Sequence, residues 1–253
     1  MINPIVLIGE PLNFKDKLTI YPPSVRDVVA NPNFGMFYKI LTLTQDDVAD
    51  EVKKKLQEGD KIPTPFEYLL VNAKYINGFS TILRGAFQFF CHTDIAFLYD
   101  DKKIIIGNIE ELVKNIENVD EIQYLTEEDF FEFQNLIRVS LGDKDIPPPL
   151  PEDPDEDPRV RRIKEKARER DRIKAKQGNK SKNGISLSAC LVAICCMGIG
   201  ITPLNIGEMS YAAVGELMKT MQNKEKYDID IRSLLAGADS KKIKPKYWIG
   251  NEN

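Results

Sequence analysis

The chain has 253 residues, of which 42% are apolar and 29% charged. Thirty-five basic and 39 acidic residues give a net charge of −4, too small to indicate a nucleic-acid partner. Four cysteines and one histidine exclude a disulfide framework and most histidine-based metal chemistry. Residues 1–14 show no basic head followed by an apolar run, so we expect no secretory signal and a cytoplasmic location.

The first 143 residues are predicted to form a mostly helical α+β domain. Short strand-like runs are expected at residues 5–8 and 17–21. Residues 95–98 and 104–106 flank a polar turn, which favours a β-hairpin. This domain is therefore expected to combine a helical core with a small β component.

Four helix starts in this domain share one chemistry. A Ser or Thr that can accept from an unpaired amide is followed three residues later by an acid that complements the helix dipole. The pairs are Ser24 with Asp27, Thr44 with Asp47, Thr64 with Glu67, and Thr126 with Asp129. After Pro65, apolar residues recur at threes and fours from Phe66 to Phe90, which predicts one long helix weakened at Gly78 and Gly85.

Residues 144–184 are predicted to be a proline-rich, charged, flexible linker. Residues 146–151 are mostly proline, residues 152–158 contain five acids, and residues 159–182 contain twelve Lys or Arg. The basic part could be an arm for nucleic acid. We favour a solvated linker, because the acidic run before it balances its charge.

Residues 185–253 are predicted to form a small helical domain with a basic, aromatic tail. The apolar run at 185–201 is at the lower length limit for a membrane span, and its serines and glycines favour the buried centre of a helical bundle instead. Ser210 is expected to cap an amphipathic helix, and residues 229–235 a last short helix that stops at Gly237. The whole chain is thus expected to be mainly α.

No catalytic constellation is visible in the sequence. The three cysteines at Cys190, Cys195 and Cys196 lack the Cys-x-x-Cys spacing of zinc or redox sites, and we expect them to act as small buried hydrophobes. No phosphate loop or dinucleotide loop is present. We therefore expect no enzymatic activity, no cofactor, no metal and no small-molecule substrate.

The remaining interpretation is a protein-binding module, an adaptor or chaperone that holds an apolar partner surface and releases it. The alternative is that these apolar side chains simply pack on one another. The candidate partner-binding residues are Leu187, Leu191, Met197, Tyr211, Val214, Leu217, Met218, Met221 and Trp248.

The C-terminal segment resembles a known family. An apolar helix is followed by Gly-Ile-Thr-Pro-Leu-Asn-Ile-Gly-Glu-Met-Ser at 200–210, an amphipathic helix, Lys-Tyr-Asp at 226–228 and a Lys-Lys…Trp-Ile ending at 241–249. This order is similar to the C-terminal extension of tail assembly chaperones from long-tailed phages and prophages of Gram-positive bacteria. Residues 18–29 are similar in style to such phage proteins.

The resemblance implies a non-enzymatic role in virion morphogenesis in the bacterial host cytoplasm. Such chaperones bind the long, hydrophobic tape measure protein and help recruit tail-tube protein, and self-association is possible in this family. The alternatives are a structural tail or baseplate component of the virion, and a nucleic-acid-binding regulator that uses residues 159–182. We do not expect a nucleic acid or a membrane to be the partner.

Overall fold

A computed structural model describes residues 3–52, 61–107, 122–143, 186–239 and 241–248, with the isolated positions 159, 160, 166 and 170. Within these residues the protein is mainly α with two small antiparallel sheets, which confirms the predicted fold class. The chain divides into two compact units, residues 1–146 with 202–253, and residues 147–201. The predicted boundaries at 143 and 185 stay a prediction, and the predicted linker lies outside the described residues except at the isolated positions.

The first unit contains most of the elements. In chain order they are α1 (Pro4–Leu7), β1 (Leu12–Phe14), β2 (Leu18–Ile20), α2 (Val25–Ala30), α3 (Phe34–Leu41), α4 (Gln45–Val52), α5 (Pro65–Tyr75), α6 (Phe79–Cys91), β3 (Ile95–Leu98), β4 (Lys103–Ile106), β5 (Tyr124–Leu125) and α7 (Glu127–Ser140). The second unit contains α8 (Leu187–Cys196), and the first unit then resumes with a 3-10 turn (Ile206–Glu208) and α9 (Tyr211–Leu235).

Each of the two sheets contains a local hairpin. Strands β1 and β2 pair antiparallel with Leu12 opposite Ile20, and β3 and β4 pair with Ile95 opposite Ile106. The hairpin predicted at 95–106 and the strand predicted at 17–21 are therefore confirmed, and β5 adds a third strand beside β4.

The strand predicted at residues 5–8 is wrong, because this segment forms helix α1. Pro4 occupies the first turn, where its missing N–H costs nothing, and the Ile5 N–H donates to Asn3 Oδ1 at 3.1 Å. The cap and the proline outweigh the strand preference of a short apolar run.

Three of the four predicted helix caps are confirmed. Ser24 and Thr64 form reciprocal capping boxes with their acids, and Thr44 exchanges the same pair of bonds with Asp47. At the fourth start, Thr126 makes no bond to the backbone of α7, and Asp129 instead accepts hydrogen bonds from Lys15 and Lys17. This carboxylate therefore joins α7 to the β1–β2 hairpin.

The long helix predicted from residue 66 to residue 90 is divided in two. Gly78 lies between α5 and α6 with φ of 81°, a left-handed conformation that glycine adopts without steric cost. Buried residues on both sides of the break, such as Leu70 and Leu83, belong to the same core cluster.

Phenylalanines dominate the core of the first unit. Phe87 stacks on Phe133 with centroids 5.2 Å apart, and the edge of Phe14 meets Phe133 at 5.9 Å. These three rings and Phe90 are at most 1% exposed. Aromatic packing thus fixes α6, α7 and the β1–β2 hairpin to one another. Such ring pairs stabilise the fold by more than the apolar area they bury.

Candidate partner-binding surface

The C-terminal part of the first unit joins the N-terminal elements through a short antiparallel bridge. The Val25 N–H donates to the Met209 carbonyl at 2.9 Å, and the Tyr211 N–H donates to the Pro23 carbonyl at 2.9 Å. This pair of bonds places the start of α9 directly beside the start of α2.

Ser210 makes a second link at the same place. Its hydroxyl donates to the Leu7 carbonyl at 3.1 Å at the end of α1, and accepts from the Ala213 N–H at 3.1 Å as the N-cap of α9. Ser210 is 5% exposed, so water competes little for these bonds. The predicted cap is confirmed, and it also anchors the helix.

The first turn of α9 belongs to the core of this unit. Ala212 is 1% exposed within the main cluster, and Tyr211 packs against that cluster with its ring 5.8 Å from Phe34. Tyr211, a predicted partner-binding residue, therefore contacts the chain's own core in this structure.

Helix α9 is continuous over 25 residues, so the prediction of a separate short helix at 229–235 is wrong. The segment between Met221 and Ile229 contains Lys, Glu and Gln, which are strong helix formers, and no glycine or proline. The predicted stop is confirmed, since the helix ends at Leu235 and Gly237 adopts φ of 93°.

Four of the predicted partner-binding residues form one line on α9, which we call the apolar stripe: Val214, Leu217, Met218 and Met221. At about 100° per residue they fall within one sector of roughly 100°. Val214 is 2% exposed, whereas the other three are partly buried. Charged residues occupy the next positions on the same line, so the apolar stripe ends at Met221.

The other three predicted helical residues lie in the second unit. Ser186 caps α8, accepting from the Ala189 N–H at 3.2 Å, and the helix ends at Cys196, just before Gly198 with φ of 69°. Leu187 and Leu191 are partly buried, and Met197 is 42% exposed. Helix α8 is thus a short apolar helix of ten residues.

Trp248, the last predicted residue, lies in a pocket between α9 and the C-terminal tail. The Tyr247 ring meets Tyr227 of α9 at 5.7 Å and 90°, and lies 6.1 Å from the Trp248 ring. The pocket, which we call the tail pocket, has a volume of about 170 Å³. Its lining residues are Asn223, Lys226, Tyr227, Asp230, Lys244, Lys246, Tyr247 and Trp248.

The apolar stripe and the tail pocket lie on opposite sides of α9. At about 100° per residue, the α9 residues of the tail pocket centre roughly 180° from the centre of the stripe. The two surfaces are also offset by about 13 Å along the helix axis, at 1.5 Å per residue. Trp248 therefore does not extend the apolar stripe.

Sequence reasoning missed Tyr227 as part of a site. The signal available was weak: an aromatic residue between charged neighbours on the polar side of a helix. Its role depends on Tyr247, twenty residues later, returning to the helix, and spacing within the helix carries no information about that return.

The cysteines occupy different environments. Cys91 is buried, and burial raises the pKa of its thiol to about 12, so it is an inert apolar side chain at neutral pH. Cys190 and Cys195 are partly buried, but Cys196 is exposed, so the expectation that it is a buried hydrophobe is wrong. Neighbouring positions on a helix are rotated by about 100°, and both cannot face one core.

Two further observations concern the described part of the chain. Within it, no three His, Cys, Asp or Glu side chains are grouped as they would be around a metal ion. No helix there has both the length and the apolar character that crossing a bilayer requires.

Comparison with known proteins gives one match. Residues 176–253, about a third of the chain, match the family model described as the YomV second domain. The family name is phage-derived, which is consistent with a phage protein. Searches of curated proteins and of solved structures return no significant match. The matched segment contains α8, α9 and the tail, and hence all nine predicted partner-binding residues.

Proposed function

We propose that this protein is a phage tail assembly chaperone that binds the tape measure protein and helps recruit tail-tube subunits, without catalysis, in the bacterial host cytoplasm. Two observations support the proposal. The C-terminal residues that resemble such chaperones, at 200–210, 226–228 and 241–249, fall within the segment that matches a phage-derived family. The apolar stripe offers a helical surface to a helical partner.

The apolar stripe is the observation that carries the proposal. Val214 is buried in the protein's own core, so the accessible part of the stripe is Leu217, Met218 and Met221, about one turn of α9 or about 6 Å. It combines a leucine with two methionines, whose flexible side chains adapt to irregular surfaces. An amphipathic partner helix can lie against such a stripe. A contact of one turn is small, so a single copy would bind weakly and dissociate readily.

Weak single contacts suit a long partner. Several copies bound along one extended helical protein would together shield its apolar length, while each copy could still be displaced individually by an incoming subunit. A catalytic chaperone mechanism is unnecessary for this role, because shielding and release need only reversible burial of apolar area.

The test is co-purification with the tape measure protein of the same phage. Changing Leu217 and Met221 to Lys places two charges in the apolar stripe, and we expect co-purification to be lost. The matched control is Leu235→Lys at the end of the same helix, where the side chain is 83% exposed, and this variant should retain the partner. Circular dichroism and Trp248 emission verify that each variant is folded.

If a folded Leu217→Lys, Met221→Lys variant still retains the tape measure protein, the apolar stripe is not part of the interface. A second measurement separates a chaperone from a virion component. Mass spectrometry of purified phage particles should not detect the chain, and its presence at a stoichiometry typical of tail proteins would favour the structural alternative.

A further inference from the structure

The tail pocket has a charge pattern that the proposed function does not use. Lys226, Lys244 and Lys246 are exposed around its rings, and none of them makes an ion pair with a described residue. Asp230 is the single acid in the lining, and it makes no ion pair with these lysines either. Three cations against one anion leave a local charge of +2 in a chain whose net charge is −4.

We infer that the tail pocket binds an extended acidic peptide segment of a partner protein. Acidic side chains of the peptide would meet the three lysines, and an apolar or proline side chain would lie against the rings of Tyr247 and Trp248. At about 170 Å³ the pocket is smaller than a typical small-molecule site, so it suits one or two side chains of a segment that continues over the surface.

Asp230 favours a peptide over other anionic partners. An extended peptide presents backbone N–H donors as well as acids, so it can satisfy this carboxylate and the lysines together. A nucleic-acid backbone brings closely spaced phosphates and would place negative charge against Asp230. A flat anionic membrane cannot enter a recess formed between a helix and a tail. This surface is separate from the apolar stripe, so the inference holds or fails independently of the tape measure protein.

Trp248 makes the test direct, because it is the only tryptophan of the chain and lies in the pocket. The full-length protein is titrated with a short synthetic peptide of repeated Pro-Leu-Glu-Asp units while Trp248 emission is followed. We expect saturable binding that weakens with added salt. The same peptide with Gln and Asn in place of its acids should bind at least about tenfold more weakly.

Matched variants locate the site. Changing Lys244 and Lys246 to Gln should raise Kd about tenfold, whereas the same change at Lys241 and Lys242, in the same tail but outside the lining, should leave Kd within about twofold. Tyr247→Ala keeps every charge and should still weaken binding, which general electrostatic attraction would not predict.

Three results would overturn the inference. Equal losses in the two lysine pairs would indicate non-specific attraction. Tighter binding of single-stranded oligothymidine, with the same dependence on Lys244 and Lys246, would identify a nucleic-acid surface. A blue shift of Trp248 emission on phosphatidylserine vesicles, with none on the acidic peptide, would identify a membrane surface.

Discussion

Replacing Ser210 by Ala tests whether the C-terminal part of the first unit folds together with the N-terminal elements. The hydroxyl caps α9 and also donates to the Leu7 carbonyl of α1, 203 residues away in sequence. Loss of a serine cap costs about 1 kcal/mol, and loss of a buried hydrogen bond costs about 1 kcal/mol more. We therefore expect the free energy of unfolding to fall by about 2 kcal/mol.

The assay follows two probes during denaturant unfolding. Trp248 emission reports the tail, and far-ultraviolet circular dichroism reports the helices as a whole. If the unit is cooperative, both midpoints shift by the same amount in Ser210→Ala, with the denaturant dependence m unchanged. Ser210→Thr keeps the hydroxyl and serves as the matched control, with a much smaller shift expected.

A shift in the Trp248 transition alone would refute this reasoning. It would mean that α9 and the tail unfold independently and that the bridge at residues 209–211 contributes little to the N-terminal elements. Hydrogen exchange of amides in α6 and α7 supplies the third probe, since these helices hold the aromatic core and should lose protection equally in the variant.

Three further predictions concern the N-terminal elements and α9. Burial would raise the pKa of Asp129, but hydrogen bonds from Lys17 and Lys15 outweigh it and hold the pKa below its usual 3.8. Asp129→Asn should therefore lower the free energy of unfolding by about 1–2 kcal/mol at neutral pH. Thermal unfolding should show that the difference between the variant and the original protein disappears as the pH falls below about 3.9 and through the lower pKa of the folded state. A difference that persists in acid would contradict this reasoning. Gly78→Ala should lower stability by about 1 kcal/mol, because φ is positive there. Gly215→Ala, inside α9 with open space around it, should raise stability by about 0.5–1 kcal/mol. Urea unfolding measures both changes, and a change of the opposite sign would contradict the corresponding prediction.

Features that depend on neighbouring residues could be predicted from the sequence. Three helix caps, the β3–β4 hairpin and the apolar stripe each involve residues within one or two turns or strands, so spacing alone identifies them. The mainly α fold class follows from the same local patterns.

Features that depend on distant residues could not be predicted. Asp129 was expected to support a helix cap, and Lys15 and Lys17, more than a hundred residues earlier, attract it instead. The bond between Ser210 and Leu7 joins the ends of the unit, and the tail pocket requires Tyr247 to return to Tyr227. The periodicity of residues within one helix or strand does not predict contacts between residues that are far apart in the sequence.

The apolar stripe and the tail pocket lie on opposite sides of α9, and this has a consequence for how many partners can bind. A partner bound to one side of a helix leaves the other side accessible, so two partners need not compete for the same surface. One protein can contact Leu217 and Met221 while a second binds beside Trp248, so both can be bound at the same time. Simultaneous binding of this kind requires no conformational change, only a rigid helix that keeps the two surfaces on opposite sides.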